Sequence, residues 1–249
     1  MILRTLKVCL LMFLFFCISS CAHNTVLSNP AKVKKTFVKM DVMITLVKTV
    51  DGQDRKLNAG SVASGAGVLY GNEIHILTAN HVCDYSDVVN PAKQLGYVPS
   101  IKISAIDVTG ERHVLEVVKQ NEEADLCLLK GKDKKLDIPT LELSSDPPSK
   151  NEKYFNFAAP AGVFNPGVVP LYEGRYAGIF YGVYALYTIP VYPGSSGSPI
   201  VNSSGELVGM VHSVHRNFHH VSFSATHEQL SIFLANIKND AKRPVLHLF

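Results

Sequence analysis

Short runs rich in apolar and β-branched residues recur along the chain, and turn residues such as Asp51-Gly52 and Thr109-Gly110 separate them. In the first half these runs cover residues 37–50, 62–70, 73–78, 101–108, 113–118 and 124–129. No amphipathic helix lies between them. Strand-like runs at this spacing, without intervening helices, predict an all-β barrel.

A second group of runs covers residues 154–159, 175–179, 183–189, 200–201, 207–214 and 221–223. Residues 143–150 contain Pro147-Pro148, which cannot lie in a central strand, so we interpret them as a linker between two halves. One helix is predicted at about 227–238. Thr226 and Gln229 fit a capping box there, and an apolar stripe follows at Leu230, Phe233, Leu234 and Ile237.

Composition narrows the class of protein. With 249 residues, 47% hydrophobic and 18% charged, the chain can bury a sizeable core and is neither disordered nor fibrous. Its formal charge is only +3, and removing residues 1–20 with Arg4 and Lys7 would lower this charge to +1. We therefore expect no nucleic-acid partner.

Residues 1–20 have the pattern of a lipoprotein-type signal peptide. Arg4 and Lys7 precede an apolar run, Val8 to Ile18, that is too short to span a bilayer as a helix. Ile18-Ser19-Ser20-Cys21 then resembles the bacterial lipobox, whose cysteine is lipidated; the alternative is an ordinary cleavage site followed by an incidental cysteine. We expect export to the cell envelope, with a lipid anchor at Cys21 in a bacterial membrane.

The sequence after Cys21 leaves two questions open. Residues 21–35 are polar and then basic, and we expect them to be a solvated tether; Ala22 favours the outer membrane in a host with two membranes. The folded body keeps two cysteines, Cys83 and Cys127. An exported compartment permits a disulfide between them, and the alternative is two buried thiols.

The candidate chemistry centres on Gly194-Ser195-Ser196-Gly197-Ser198-Pro199, which we call the serine turn. Glycines around a serine let the backbone turn sharply, so that a hydroxyl stands out and nearby N–H groups point the same way. Such a hydroxyl becomes a nucleophile only with a histidine base and an acid that orients it. The sequence must therefore supply both residues.

His81 and Asp125 are the candidates. His81 follows an apolar run that begins at Ile74, and Asp125 is embedded in the apolar run 124–129. An unpaired buried carboxylate is costly, so Asp125 needs a partner such as a histidine N–H. Each residue alone could be structural, but His, Asp and Ser in this order indicate acyl transfer.

These segments resemble the chymotrypsin-like serine proteases, particularly an exported bacterial branch that includes glutamyl endopeptidases and the HtrA protease domain. The motifs are residues 77–82, 124–129 and 193–202, with 205–209 behind them, and the resemblance covers roughly residues 60–237. It implies a protease domain at 36–249 built from two six-stranded antiparallel β-barrels and a C-terminal helix. The first barrel would span about 36–142 and the second about 151–225.

The resemblance also implies roles. Ser196 would attack the peptide carbonyl, His81 would transfer the proton, and Asp125 would orient the imidazole. The backbone N–H groups of Gly194 and Ser196 would form the oxyanion hole. No cofactor or metal is implied.

Specificity is less defined by the sequence. In register with the glutamyl endopeptidases, Val211 replaces their pocket histidine, and His212 one place on faces the other side of a strand. The candidate substrate-binding residues, Pro190, Val191, Val211 and His212, favour a small or medium apolar side chain before the scissile bond. The histidines at 212, 215, 219 and 220 have no acidic or cysteine partner, so we expect no zinc site.

The sequence thus predicts an exported, lipid-anchored serine endopeptidase that hydrolyses polypeptides through an acyl-enzyme and needs no cofactor. The alternative is a catalytically idle protease-like lipoprotein that binds a peptide or an envelope partner. An esterase that uses the same residues is a third possibility.

Overall fold

A computed structural model describes residues 25–215 and 218–235 of the chain. Within this part the strands form two closed barrels, each of six antiparallel strands. A helix follows the second barrel. The predicted all-β fold of two six-stranded barrels with a C-terminal helix is confirmed.

The first barrel contains β1 Phe37–Val50, β2 Gln53–Tyr70, β3 Glu73–Ala79, β4 Val98–Asp107, β5 Arg112–Asn121 and β6 Leu126–Gly131. Its strands adjoin in the order β1-β2-β3-β6-β5-β4. β2 begins well before the predicted residue 62, because residues 53–61 pair with β1 while their side chains remain exposed. A strand exposed on both faces carries no apolar alternation for the sequence to reveal.

The second barrel contains β7 Lys153–Phe157, β8 Leu171–Phe180, β9 Tyr184–Tyr187, β10 Pro199–Val201, β11 Leu207–His215 and β12 Phe218–Ser224. Its order, β7-β8-β9-β12-β11-β10, repeats that of the first barrel. Tyr154, Tyr176 and Tyr187 pack edge to face or tilted in its core, with ring centroids 5.2 to 6.5 Å apart. Tyrosine rings therefore supply much of the buried area here.

A shared apolar cluster joins the barrels. It runs from Phe37, Met40 and Leu77 in the first barrel to Leu207 and Met210 in the second, all nearly inaccessible to solvent. Burial of this kind stabilises by roughly 25 cal/mol per Å² of apolar surface removed from water. The barrels are thus docked through their cores, and the crevice between them has fixed walls.

Three α-helices occur in the described residues: α1 Pro30–Lys34, α2 Ser86–Gln94 and α3 His227–Leu234. The predicted capping box begins α3, because Thr226 Oγ1 accepts from the N–H of Gln229 and Gln229 Oε1 accepts from the N–H of Thr226. Leu230 and Phe233 bury its apolar face. None of the helices in the described ranges is long and apolar enough to cross a membrane.

Residues 25–35 pack onto the folded body, which corrects the expectation of a solvated tether for this part of 21–35. Leu27 and Val33 are 7% and 3% exposed, respectively, and belong to the shared apolar cluster. The N–H of Ser28 donates to Ser203 O at 2.8 Å, and Lys34 Nζ donates to Gly167 O at 3.0 Å. Two isolated apolar residues in a polar stretch hold this segment against the second barrel. Residues 21–24, with Cys21, lie outside the described ranges.

Candidate active site

His81 is held by two contacts with the carboxylate of Asp125. It lies in a 3₁₀ turn, Asn80–Val82, directly after β3. Asp125 Oδ1 accepts from the backbone N–H of His81 at 2.9 Å, and Oδ2 lies 2.8 Å from ring Nδ1. We assign the ring proton to Nδ1, which faces the carboxylate, so the lone pair of Nε2 is free to act as a base.

Asp125 takes its orientation from a tight turn. The sequence suggested a carboxylate inside an apolar strand, but β6 begins one residue later, at Leu126. Asp125 has φ 50° and its side chain is 24% exposed, so the carboxylate remains partly solvated. Its carbonyl accepts from the N–H of Asn80 at 3.0 Å. This contact ties the Asp125 turn to the 3₁₀ turn that carries His81.

A disulfide joins the same two segments. Cys83 and Cys127, each two residues beyond a member of the His81–Asp125 pair, are bonded, with Cα atoms 6.6 Å apart. Of the two possibilities that the sequence left open, the structure contains the bridge. A cross-link between residues 44 apart in sequence reduces the entropy of the unfolded chain, which stabilises the fold by about 3 to 4 kcal/mol in the chain-entropy model.

The serine turn lies against strands of the first barrel. The N–H of Ser64 in β2 donates to Ser196 O at 2.8 Å. A Cβ placed on Gly197 would come within 2.0 Å of Thr78 Oγ1 and 2.2 Å of Ser64 O. Gly197 also has φ 83°, in the left-handed region that favours glycine. Only glycine lets the serine turn come this close to Thr78 of β3, the strand that ends just before His81.

Two peptide groups of the turn point their N–H groups away from every described acceptor. Pro193 O accepts from the N–H of Ala161 at 2.7 Å, and Ser195 O accepts from the N–H of Ser198 at 3.0 Å. Each carbonyl fixes its peptide plane, so the N–H on the opposite side, of Gly194 and Ser196 respectively, faces the other way. Among the described residues neither N–H has a hydrogen-bond acceptor. Such a pair of free donors can stabilise an oxyanion.

Ser64 is a functional candidate that the sequence reasoning missed. It is fully buried, and its Oγ donates to Gly194 O at 2.9 Å while accepting from the N–H of Ala159 at 3.1 Å. Its carbonyl accepts from Thr78 Oγ1 at 2.8 Å. One side chain thus connects β2 to the serine turn and to the second barrel. The only sequence signal is a serine within an otherwise small and apolar stretch, residues 63–68.

No hydrogen bond links the Ser196 hydroxyl to the His81 imidazole in the described part of the chain. Within residues 25–215 and 218–235, neither Ser196 Oγ nor His81 Nε2 makes a hydrogen bond, and Ser196 is partly exposed. In unliganded hydrolases such contacts are often long and tighten only when substrate binds. The arrangement therefore supplies an oriented base, an accessible hydroxyl and two free donors.

His212 lies behind this pair rather than in a pocket wall. It projects from β11, with Nδ1 3.9 Å from Asp125 Oδ2, and its side chain is 10% exposed. Its ring contacts that of Tyr184 at a centroid distance of 5.2 Å. Burial lowers the pKa of His212, and the neighbouring His81 lowers it further, whereas Asp125 raises it. The neutral imidazole is therefore favoured at neutral pH.

The other candidate substrate-binding residues separate into two groups. Pro190 and Val191 line an apolar pocket of about 210 Å³ together with Pro160, Tyr172 and Tyr192. Val211 is only 1% exposed and packs in the second core, so its side chain offers no surface to a substrate. Val211 was predicted to be a substrate-binding residue, and its burial corrects that prediction. The apolar neighbours of Val211 on β10 and β9 explain why it faces inward.

One group of potential metal ligands occurs among the described residues, at Asp107, Glu111 and His113. It closes the turn between β4 and β5. Asp107 Oδ1 accepts from the N–H groups of Thr109 and Glu111, and Oδ2 contacts His113 Nε2 at 3.0 Å. Glu111 is paired with Lys134. These ligand atoms already hold the turn together. In the histidine tract, the side chains of His215 and His219 lie outside the described residues.

Comparison with known proteins agrees with this geometry. A family model described as the trypsin-like peptidase domain matches residues 65–210, more than half of the chain. The chain belongs to this family. No curated protein matches it in sequence. The match includes His81, Asp125 and the serine turn, so the trypsin-like segment and the candidate site coincide.

Solved structures of trypsin-like fold resemble this member of the family. The HtrA-type protease AlgW with a decapeptide matches with a TM-score of 0.62 and 16% identity, over 84% of this chain and 66% of the AlgW chain. An inactive mutant form of Rv3671c from M. tuberculosis H37Rv matches with a TM-score of 0.57 and 17% identity, over 88% of this chain and 94% of that chain. At these identities the likeness concerns the fold.

Replacing Ser64 with alanine should impair the site more than it destabilises the fold. The Gly194 carbonyl would lose its donor, and the Gly194–Ser195 peptide, which lies between the two peptides that carry the free N–H groups, would be held less firmly. Labelling of Ser196 by a fluorophosphonate should therefore slow by about ten-fold. The free energy of unfolding should fall by about 1 to 2 kcal/mol. Ser222→Ala is the matched control, because Ser222 is equally buried but lies in β12. Equal labelling rates in the two variants would contradict the role of Ser64.

His212 should make stability depend on pH. Its pKa is lower in the folded chain than its ordinary value of 6.5, so the unfolded chain binds the proton more readily. The stability that neutral His212 contributes is present above pH 6.5 and is lost as pH falls through the folded pKa. Between about pH 5 and about pH 7, the free energy of unfolding measured with urea should therefore rise less steeply with pH in His212→Asn than in the parent chain. His220→Asn, at an exposed position, is the control and should match the parent chain in this experiment. The same pH dependence in the parent, His212→Asn and His220→Asn would refute the prediction for His212.

Proposed function

We propose that the chain is a serine endopeptidase in which Ser196 is the nucleophile, His81 the general base and acid, and Asp125 the residue that orients His81. The observation that carries the proposal is the double contact between Asp125 and His81, next to a serine turn with two free N–H groups. A binding protein has no need of this combination. An oriented histidine base, a serine hydroxyl and N–H donors for an oxyanion are the groups that acyl transfer requires.

The proposed reaction proceeds through an acyl-enzyme. Ser196 Oγ attacks the peptide carbonyl carbon and gives its proton to His81 Nε2, while Nδ1–H remains bonded to Asp125. The N–H groups of Gly194 and Ser196 stabilise the oxyanion that forms; removing one such donor costs roughly 3 to 4 kcal/mol in related enzymes. His81 then protonates the leaving amine. It later activates the water that releases the acyl group.

We propose a polypeptide as the substrate. AlgW, which shares the fold, has a decapeptide in its structure. The apolar pocket at Pro190 and Val191 carries no charged side chain, which supports a small or medium apolar residue before the scissile bond. The machinery itself uses only side chains and backbone, so the proposal includes no cofactor.

We further propose export and a lipid anchor at Cys21, in the envelope of a bacterial cell. The support is the signal-like sequence of residues 1–20 and the Cys83–Cys127 disulfide, since such bonds persist in oxidising compartments. Residues 1–24 lie outside the described ranges, so the proposal for the anchor depends on sequence alone.

The activated serine can be tested with a fluorophosphonate probe on the full chain purified in detergent. We expect a single adduct at Ser196, mapped by mass spectrometry, that is lost in Ser196→Ala and reduced at least about a thousand-fold in rate in His81→Ala. The same samples should cleave a peptide library. Adducts without peptide cleavage would indicate an esterase. A folded chain that is never labelled would exclude the proposal and favour the idle binding protein.

The anchor can be tested by expression in a bacterial host with labelled palmitate. The wild-type chain should incorporate the label and partition into detergent, because its cysteine would carry acyl chains. Cys21→Ala should lose both properties, whereas Cys17→Ala, within the predicted leader, should keep them. Equal behaviour of Cys21→Ala and the parent would refute lipidation at Cys21.

A further inference from the structure

A groove of about 880 Å³ leads from the serine turn across the first barrel. Tyr192, Pro193 and Gly194 form its near end, and Lys102 and Arg112 lie at its far end. Between them it crosses the outer faces of β2, β1 and β4. We call this feature the cationic groove.

The floor of the groove consists of two cross-strand rows. Strand pairing sets Val62, Asp41 and Ser104 side by side in one row, and Gly60, Met43 and Lys102 in the other. A Cβ on Gly60 would meet only a carbonyl oxygen at 3.7 Å, so the second row is open beside Met43. The floor is therefore apolar and shallow near the serine turn and charged farther out.

The charges of the groove do not cancel. Arg112 Nη1 lies 3.1 Å from Asp41 Oδ2, but Asp41 Oδ1 also contacts Lys39 Nζ at 2.6 Å. One carboxylate thus faces two cations. Arg112 remains 50% exposed, and Lys102 is exposed with no ion-pair partner in the described part of the chain. The far end carries excess positive charge that is open to solvent.

The groove and the apolar pocket at Pro190 and Val191 meet at Tyr192, which lines both of them. A peptide whose carbonyl oxygen meets the N–H of Gly194, with its apolar side chain in that pocket, would continue along the groove after the scissile bond. Two strand spacings separate β2 from β4, about 10 Å, which is the length of about three extended residues. Lys102 and Arg112 would then face the second or third residue after the scissile bond.

We propose that the cationic groove selects peptide substrates with an acidic side chain at the second or third position after the scissile bond. This inference rests on the proposed function and adds a substrate class to it. The position of the acidic side chain in the substrate matters, because a smaller cleft beside His81 is itself acidic; it is lined by Asp84, Asp87 and Glu122. Carboxylates next to the scissile bond would be repelled there, whereas those farther along would meet Lys102 and Arg112.

The test uses peptides that share valine before the scissile bond and carry two glutamates, two glutamines or two lysines at the second and third positions after it. Cleavage by the full chain, measured in mixtures, should favour the glutamate peptide over the glutamine peptide by about ten-fold at low salt. Raising the salt from about 0.05 M to about 0.5 M should reduce this preference to less than about two-fold.

Variants identify the residues responsible. Lys102→Gln should lower the preference for glutamate to about three-fold, and Lys102→Glu should reverse it in favour of lysine. Lys132→Glu is the matched control, because Lys132 is exposed on the same barrel but does not line the groove. Equal cleavage of the three peptides would overturn the inference. So would equal effects of Lys102→Glu and Lys132→Glu on the preference for glutamate.

Binding separates this inference from the proposed function. The Ser196→Ala chain cannot form an acyl-enzyme, and fluorescence polarisation with the same labelled peptides should show the same order of affinities. If the wild-type chain neither cleaves peptides nor reacts with the fluorophosphonate, the proposed function fails, yet a charge-dependent affinity lost in Lys102→Glu would still support the groove as an acidic-peptide site. Charge-independent affinity would overturn the inference whatever the outcome of labelling.

Discussion

The geometry of the candidate site depends on one buried contact between the barrels. The serine turn belongs to the second barrel by sequence, but Ser64 of the first barrel holds it in place, and the Thr78 hydroxyl donates to the carbonyl of Ser64. Gly197 makes this possible, since any side chain there would collide with both residues. His81 and Asp125 come from the same side of the crevice as Ser64. The distance between base and nucleophile is therefore set by how the barrels dock, not by the serine turn alone.

Local patterns revealed the strands and most of the chemistry. The apolar run that ends before His81, the glycines of the serine turn and the capping box of α3 each leave a signal within about ten residues. Ser64 does not, because its partners Gly194 and Ala159 lie 130 and 95 residues away. Helix α2 was not predicted, because it contains Pro91 and a proline inside a helical pattern normally indicates a break. These features depend on tertiary packing, which overrides local preference.

The setting of Asp125 shows how a site can combine rigidity with solvation. The sequence suggested that burial forces the carboxylate to pair with a histidine, yet the side chain remains partly exposed. Its orientation comes instead from covalent and backbone restraint: the left-handed turn at Asp125, the hydrogen bond to Asn80 and the nearby Cys83–Cys127 bridge. His212 approaches from behind without replacing these restraints.

The packing of residues 25–35 has a consequence for where the chain can work. With the proposed anchor at Cys21, a free tether from Cys21 to the start of β1 would have let the folded body lie up to about 55 Å from the membrane. Because the chain packs onto the body from Leu27 onward, only the segment from Cys21 to Leu27 can extend, and its full length is about 20 Å. The crevice would be confined to a thin layer above the lipid headgroups, so its natural targets would be polypeptides that emerge from, or lie against, the same membrane.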